Sequence, residues 1–212
     1  MIDKLHWLGH DSFRLDGTKV VYFDPWKIPK GARKADIILV SHEHFDHFSK
    51  PDIAAISTKD TVIVTTQAVA GELKAAKIPC GEVKALLPGE SFETEGVRIR
   101  GVASYNVNKD FHPKKANKLG FLVEMSGQAI YHAGDTDYIP EMDEYRCDIA
   151  LLPVSGTYVM TAAEAAQAAI AIAPKIAVPM HYGDVAGTAA DAKAVAELLN
   201  GKIEVRIMKK EK

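Results

Sequence analysis

The chain has 212 residues, of which 47% are hydrophobic and 25% charged, and its formal net charge is −2. This length and apolar content predict one domain, residues 1–212, with a sizeable core. The slightly acidic charge balance disfavours a nucleic-acid partner, because proteins that grip phosphates usually have a basic surface. No secretory segment and no apolar run of membrane-spanning length is visible, so we expect a cytoplasmic protein without a membrane partner.

In the first half of the chain, short apolar runs bounded by turn residues predict strands, and one amphipathic segment predicts a helix. Strand-like alternation covers residues 5–15, further strands are predicted over residues 19–23, 36–40, 91–92 and 97–102, and the helix over residues 66–77. The run at residues 36–40 is typical of a strand buried on both faces.

The second half repeats this order. Strands are predicted over residues 119–124, 129–132, 148–152 and 176–179 and around Val205, and helices from the capping box at residues 161–164 to Pro174 and over residues 188–200. Strands followed by strand–helix alternation, appearing twice, predict an α/β architecture of two sheets packed face to face with helices outside. Residues 106–118 are polar and predict a long exposed loop, a kind of loop that is often functional.

A cluster of metal-binding residue types follows directly after the predicted strand at residues 36–40. The cluster reads His42-Glu43-His44-Phe45-Asp46-His47. Imidazole and carboxylate ligands at this density suit zinc, with manganese or iron as alternatives. A solvated polar loop is the competing interpretation, but three histidines within six residues are unusual for one.

This segment resembles the metal-binding motif of the metallo-β-lactamase superfamily. Two later motifs, each after a predicted strand, extend the resemblance in the order typical of that superfamily; they are Gly134-Asp135-Thr136 and Pro179-Met180-His181-Tyr182-Gly183. The chain is most similar to the branch that contains L-ascorbate-6-phosphate lactonase and related metal-dependent hydrolases, through Trp7-Leu8-Gly9-His10, Phe23-Asp24-Pro25 and the run at residues 131–137. The resemblance implies a four-layer αββα sandwich, the metallo-β-lactamase fold.

The resemblance also implies a ligand set for a binuclear centre. His42 and His44 would bind the first metal ion; Asp46, His47 and His181 would bind the second; and Asp135 would bridge both. A carboxylate can span two ions about 3.5–4 Å apart, which an imidazole cannot. The implied nucleophile is a hydroxide held by the metal ions, which Asp46 could orient or deprotonate.

The sequence departs from the superfamily pattern at one ligand. Many relatives supply a further histidine to the first metal ion, but the strand that should carry it here ends at Asn106 without one. Either Asn106 or His112 could take that place or contact the substrate. The first metal site is therefore expected to be the weaker of the two.

Further residues near these motifs are candidates for supporting roles. His10 and Tyr182 are candidate catalytic residues beside Asp46. Asp24 and His132 are candidates for orienting the metal ligands by hydrogen bonds, since ligating histidines usually need such partners. Lys109, Lys114 and Lys115, beside His112, could meet a phosphate or another anion, although a solvated loop explains them slightly better.

The function predicted from these patterns is a metal-dependent hydrolase that acts on a small ester, lactone or phosphoester, with a phosphorylated metabolite among the candidates. One alternative is a metal-binding or ligand-sensing protein without turnover, which the missing histidine motivates. Another is a phosphodiesterase or nuclease. The oligomeric state is not determined by the sequence, and a homo-oligomer is left open.

Overall fold

Two β-sheets form the centre of the computed structural model, which describes residues 1–211; Lys212 lies outside the described residues. The strands are β1 (Leu5–Gly9), β2 (Ser12–Asp16), β3 (Val20–Phe23), β4 (Ile37–Val40), β5 (Val62–Thr65), β6 (Glu82–Ala85), β7 (Ser91–Thr94), β8 (Val97–Ala103), β9 (Leu119–Met125), β10 (Gln128–His132), β11 (Ile149–Pro153), β12 (Ile176–Met180) and β13 (Glu204–Val205). The helices are α1 (Lys50–Ile56), α2 (Gln67–Ala76), α3 (Ala162–Ile172) and α4 (Ala189–Leu198).

Both sheets are built to the same plan. The first sheet has the order β1-β2-β3-β4-β5-β6 and the second the order β13-β12-β11-β10-β9-β8-β7. In each sheet an antiparallel meander continues into parallel strands. The repeated order predicted from the sequence is therefore present as two similar sheets.

The hydrophobic core consists of two clusters of buried side chains. One large cluster joins the two sheets, with Phe13, Phe23 and Leu39 from the first sheet and Phe121 and Leu151 from the second. In a second cluster, α1 and α2 pack on the outer face of the first sheet, while α3 and α4 lie against the second sheet. This is the αββα sandwich that the sequence predicted.

Most predicted elements are confirmed, and the helix ends follow the expected capping chemistry. The Thr66 hydroxyl accepts a hydrogen bond from the amide of Val69 at the start of α2, and Thr161 forms a capping box with Glu164 at the start of α3. Such caps satisfy amide groups that have no partner within the helix. None of the helices in the described residues is long and apolar enough to cross a membrane.

Three expectations need correction. Residues 5–15 form two antiparallel strands, β1 and β2, with a tight turn at His10 and Asp11 between them. The elements α1, β5 and β6 were not predicted. The loop at residues 106–118 is not wholly exposed, because Asn106, His112 and Lys118 are buried.

Candidate metal centre

The candidate site lies where several strands end on the same side of the sandwich. His42 follows β4, Asp135 follows β10 and His181 follows β12. The turn between β1 and β2 reaches the same place, and the His181 amide donates a 3.2 Å hydrogen bond to the carbonyl oxygen of His10. The topology therefore brings together motifs that are far apart in the sequence.

The backbone at the site adopts conformations that L-residues rarely use. The φ angles are 53° at His10, 41° at Asp24 and 58° at His181. At Gly134 (φ 61°) a Cβ atom would lie 2.7 Å from the carbonyl oxygen of Leu119, so no larger residue fits there. Left-handed backbone in non-glycine residues costs free energy and recurs at functional sites.

The first half-site comprises His42, His44, His112 and Asp135, whose candidate ligand atoms lie within 4.8 Å of one another. His44 Nδ1 is 3.0 Å from His42 Nε2 and 3.3 Å from His112 Nε2. His112 Nε2 is 3.2 Å from Asp135 Oδ2. Tetrahedral ligands with metal–ligand bonds of ~2.1 Å are themselves ~3.4 Å apart, so these separations suit one shared ion.

Asn106 holds His112 in place and does not itself reach the half-site. The Asn106 side-chain oxygen accepts from the His112 amide at 2.9 Å and lies 3.0 Å from His112 Nδ1. The Asn106 amide nitrogen donates to Asp137 and to the carbonyl oxygen of Tyr158. With its proton on Nδ1, His112 directs the Nε2 lone pair toward His44. The structure thus places His112, and not Asn106, beside the first pair of histidines.

Electrostatics favour neutral imidazoles in the first half-site. Burial, reinforced by the neighbouring His47, lowers the pKa of His42 well below its ordinary value. Burial and the nearby Lys118 also lower the pKa of His44, whose Nε2 lies 3.2 Å from the lysine Nζ. Neutral imidazole is the form that ligates metal ions.

The second half-site is built around His47 and His181, which belong to two overlapping groups of candidate ligands, each with its ligand atoms within 4.8 Å of one another. One group adds Asp11 and Asp135, and the other adds His10 and the predicted ligand Asp46. Asp135 Oδ1 lies 3.2 Å from His47 Nε2 and 3.3 Å from His181 Nε2. The two oxygens of Asp135 therefore face different half-sites, as a bridging carboxylate requires.

Hydrogen bonds behind His47 and His181 aim their Nε2 atoms at the second half-site. Asp24 Oδ2 is 2.8 Å from His47 Nδ1, and the same carboxylate accepts from the amide and the hydroxyl of Ser41. The hydroxyl of Ser155 is 2.8 Å from His181 Nδ1. Partners of this kind fix ring orientation at metal sites, which is the role predicted for Asp24.

The second half-site has the opposite electrostatic character from the first. Burial acts to lower the pKa of His47, but Asp135 and Asp24 raise it well above its ordinary value. Burial also acts to lower the pKa of His181, but the negative charges of Asp135 and Asp11 outweigh it and raise that pKa to about 9. For Asp135, burial is outweighed by His181 and His47, which hold its pKa well below the usual range.

His10 and Asp46 also form a buried pair in the second half-site, with His10 Nε2 3.1 Å from Asp46 Oδ2. Burial acts to raise the pKa of Asp46, but the hydrogen bond from His10 and the nearby His47 bring it below its ordinary value. Asp46 Oδ2 is 3.9 Å from His47 Nε2, within reach of the second half-site.

Unpaired polar atoms show that the donor set fits a cation. Among the described residues, His10 Nδ1, both carboxylate oxygens of Asp11, His47 Nε2 and Asp135 Oδ1 are buried without a hydrogen-bond partner. Buried polar groups are nearly always paired, and here several converge on one region. Imidazole nitrogens and carboxylate oxygens are ligands that suit zinc, manganese and iron.

Comparisons with known proteins agree with this geometry. The family model described as the beta-lactamase superfamily domain matches residues 4–181. A UPF0173 metal-dependent hydrolase of Thermoplasma acidophilum is 36% identical over 190 residues, covering 84% of this chain and 83% of the relative. A second UPF0173 metal-dependent hydrolase, from Pyrococcus abyssi, is 32% identical over 97% of this chain and 96% of its own.

The chain belongs to the metallo-β-lactamase superfamily. Within it, the relatives place the chain among the metal-dependent hydrolases of the UPF0173 group. A crystal structure of a Parabacteroides distasonis protein, to which metal-dependent hydrolysis has been attributed, superimposes with a TM-score of 0.85. The two sequences are 32% identical, and the superposition covers 98% of this chain and 93% of the Parabacteroides distasonis chain. The superfamily predicted from the sequence is confirmed, and the lactonase branch within it stays a prediction.

The metallo-β-lactamase-like centre opens into a cavity of about 260 Å³ with an apolar rim. The cavity is lined by His44, Phe45, Asp46, Phe111, His112, Asp135, Tyr158 and Val185. Phe45 is 66% exposed and Phe111 is 50% exposed, and the Phe111 ring packs edge-on against Tyr158 at 4.8 Å. Exposed aromatic groups beside a polar centre are typical of a ligand pocket.

Two predicted residues lie differently from expectation. Tyr182 is buried and packs against Trp7, with ring centroids 5.0 Å apart, and it does not line the cavity. A catalytic role for Tyr182 therefore has no support from its position. The His132 side chain does not orient the imidazole of a candidate ligand. Its Nε2 lies 2.9 Å from the main-chain carbonyl oxygen of Asp11.

Sequence reasoning missed Asp11 and Lys118. Asp11 follows His10 within the alternating apolar pattern and is hidden by the turn that the pattern did not predict. Lys118 was read as part of an exposed loop, but it is 4% exposed and lies between His44 and Glu43. Neither residue belongs to a motif that spacing alone could single out.

Proposed function

We propose that this chain is a binuclear metal-dependent hydrolase of small esters or lactones, with zinc in the first half-site. The observation that carries the proposal is the position of Asp135, whose two oxygens face His112 at 3.2 Å in one half-site and His47 at 3.2 Å in the other. A carboxylate shared by two nitrogen-rich clusters is the arrangement that two-metal hydrolysis needs. Two divalent ions held there would supply Lewis acidity and lower the pKa of attacking water.

Asp46 and His10 would carry out proton transfer at the edge of the cavity. Asp46 lines the cavity, and its hydrogen bond with His10 favours the ionised carboxylate. Asp46 accepts a proton from the attacking water while the water oxygen forms a bond to the acyl carbon of the substrate. It returns that proton to the alkoxide oxygen when the ester or lactone bond breaks, and His10 keeps the carboxylate oriented throughout.

The cavity favours a substrate with an apolar arm over a phosphorylated one. Lys109 is paired with Asp137 at 2.6 Å, and Lys114 with Glu141 at 2.8 Å. Two of the loop lysines that could have met a phosphate are thus paired with carboxylates, whereas the rim presents Phe45 and Phe111. A sugar-phosphate lactone, as the resemblance to L-ascorbate-6-phosphate lactonase implies, receives less support from this rim.

The position of His112 bears on the alternative of a metal sensor without turnover. That alternative rested on an incomplete first half-site, and His112 fills the missing place. A phosphodiesterase or nuclease would be served by free cations near the cavity, and no lysine or arginine lines it. The single domain of residues 1–212 and a cytoplasmic location remain part of the proposal; free Cys80 and Cys147 thiols are consistent with that location.

Metal-dependent turnover tests the proposal. The protein would be stripped with a chelator, reconstituted with zinc or manganese, and assayed with aryl esters, alkyl lactones and bis(p-nitrophenyl) phosphate. We expect ester or lactone hydrolysis that disappears on stripping, returns on reconstitution and is abolished in Asp135→Asn. The exposed Asp60→Asn variant serves as the matched control and should keep wild-type activity. Bound metal without turnover on the whole panel would contradict the proposal.

A further inference from the structure

Asp137 is a buried carboxylate, 2% exposed, that lies among donors of the loop after β8. Its Oδ1 accepts from the Asn106 side-chain nitrogen at 3.1 Å and from Lys109 Nζ at 2.6 Å. Its Oδ2 accepts from the Val107 main-chain amide at 2.8 Å and lies 3.4 Å from the Asn108 amide. Hydrogen bonds to a carboxylate are stronger than those between neutral groups, so this one side chain fixes the first four residues of the loop.

The main chain beside Asp137 is joined to the same part of the chain. The Asp137 amide donates to the Tyr105 carbonyl oxygen at 3.0 Å, and the Tyr105 amide donates to Thr136 Oγ1 at 3.1 Å. The Ser104 hydroxyl donates to the carbonyl oxygen of Asp135 at 2.9 Å. The turn that carries Asp135 and the start of the loop therefore form one hydrogen-bonded unit.

The contacts of Asp137 give the Asn106 amide one orientation. An ionised carboxylate only accepts hydrogen bonds, so Asp137 requires the NH2 group of Asn106 on its side, where the Tyr158 carbonyl oxygen also accepts at 2.9 Å. The Asn106 side-chain oxygen then faces His112, whose main-chain amide donates to it at 2.9 Å. A reversed amide would place its oxygen against the carboxylate and its NH2 group against the His112 N–H.

The orientation of Asn106 in turn selects one tautomer of His112. The ring Nδ1 lies 3.0 Å from the Asn106 oxygen, and that contact is a hydrogen bond only when Nδ1 carries the proton. A neutral imidazole has one protonated nitrogen, so the lone pair falls on Nε2. That atom lies 3.3 Å from His44 Nδ1 and 3.2 Å from Asp135 Oδ2, where an ion in the first half-site would meet it.

We propose that Asp137 is a positioning residue of the metal centre. Acting through Asn106, it fixes the Nδ1–H tautomer of His112 and so presents the Nε2 lone pair to the first half-site. Lys109 neutralises the Asp137 carboxylate, which would otherwise be costly to bury. The inference rests on the proposed function in one respect, namely that the first half-site binds an ion.

The variant Asp137→Asn tests the inference, because it replaces a group that only accepts by an amide of the same size that also donates. Competition with a chromogenic chelator measures zinc affinity. Long-range ¹H–¹⁵N spectra of the zinc-loaded protein, labelled at histidine, show which ring nitrogen carries a proton and which binds zinc. The His112 signals are assigned from their absence in His112→Gln.

In the wild-type protein we expect His112 to have a protonated Nδ1 and a zinc-bound Nε2. In Asp137→Asn we expect one zinc ion to bind about tenfold more weakly, the lower end of the usual effect of partners behind a metal ligand, because Asp137 acts through Asn106. The His112 signals should change, and those of His47 and His181 should not. The control Asp110→Asn removes the same charge from an exposed position in the same loop and should match wild type in both measurements.

A second variant keeps the test available if Asp137→Asn does not fold. Lys109→Met/Asp137→Asn also removes the ammonium group that the single variant leaves without its partner, and we expect the same loss of zinc affinity. Lys109→Met alone keeps the carboxylate and its N–H donors and should keep wild-type zinc affinity.

Wild-type zinc affinity with wild-type His112 signals in either Asp137 variant would overturn the inference and leave the proposed function standing. A zinc-loaded wild-type protein in which His112 Nδ1 carries no proton would also overturn the inference, and this result needs no variant. A wild-type protein that binds no metal ion would overturn both the inference and the proposed function.

Discussion

Asn106 shows how a single side chain sets the geometry of the candidate metal centre without reaching it. Its side-chain oxygen accepts hydrogen bonds from the His112 main-chain amide and from the imidazole Nδ1 of His112. Its side-chain nitrogen donates hydrogen bonds to Asp137 and to the Tyr158 carbonyl oxygen. All of its strong donors and acceptors are used, so the ring of His112 has one orientation. The imidazole that the sequence lacks at Asn106 therefore lies six residues later and is held in place by Asn106 itself.

We therefore expect Asn106→Ala to weaken ion binding in the first half-site by about 10–100-fold, the usual effect of losing a partner behind a metal ligand. Competition with a chromogenic zinc chelator measures it. Asn108→Ala is the matched control, because within residues 1–211 the Asn108 side chain is hydrogen-bonded to Lys109 alone, and the variant should leave the affinity unchanged. Equal zinc affinity in both variants would show that His112 does not ligate.

Most of the individual residues that the structure brings together at the site could be predicted from the sequence, since closely spaced histidines strongly indicate metal binding. Asp11 was missed because a carboxylate beside a strand has no diagnostic spacing, and its importance comes from the unpredicted turn at His10. Tyr182 follows His181 directly, but the left-handed backbone at His181 (φ 58°) turns the chain between the two side chains, and the sequence pattern does not show this turn. Its ring accordingly packs against Trp7.

At the scale of elements, the close approach of β9 to the end of β10 positions Asp135. A Cβ atom at Gly120 in β9 would lie 2.9 Å from the carbonyl oxygens of both His132 and Ala133. These are main-chain atoms and cannot swing aside. Gly120 therefore allows the chain after β10 to turn, through Gly134, toward the half-sites.

Gly120→Ala should lower the free energy of unfolding by about 1–3 kcal/mol, the usual cost of overpacking, and should reduce metal content by displacing Asp135. Urea denaturation and metal analysis measure the two effects. Gly71→Ala is the contrasting variant, because Gly71 lies inside α2 with open space around it. There alanine should stabilise the protein by about 0.5–1 kcal/mol. Gly120→Ala with wild-type stability and metal content would refute this account of β9.

The strands and helices that sequence analysis found are those with clear periodicity or caps, such as β4 and α3. Those it missed lack such signals. α1 has only seven residues, and β6 is a half-exposed strand at the edge of the first sheet that includes Lys84. Their places are set by packing against neighbours, which one sequence pattern does not encode.

For the whole molecule, the sandwich places a buried polar centre beneath an aromatic rim. The motifs after the predicted strands pointed to the superfamily and to a site at strand ends, and the repeated strand order predicted two packed sheets. The character of the cavity could not be predicted, because Phe111 and Tyr158 meet across separate loops and only the folded chain shows that Lys109 and Lys114 are neutralised.

Phe111→Ala should raise KM about tenfold for esters with aromatic or long acyl arms, since the lost apolar contact is worth roughly 1.4 kcal/mol, and should leave kcat for acetate esters near the wild-type value. Steady-state kinetics on the two substrate types measure this. Ile170→Ala provides the control, because Ile170 is 51% exposed on α3 and does not line the cavity. An equal change in KM for both substrate types would argue against an apolar-arm pocket.

The proposed hydrolysis depends on two ions that one chain holds with Asp135 bridging them. Anomalous diffraction at the zinc and manganese edges, from crystals grown with both metals, tests this arrangement most directly. We predict two peaks about 3.5–4 Å apart, one beside His42, His44 and His112 and the other beside His47 and His181, with Asp135 in contact with both. A single peak, or two peaks of which only one contacts Asp135, would contradict it.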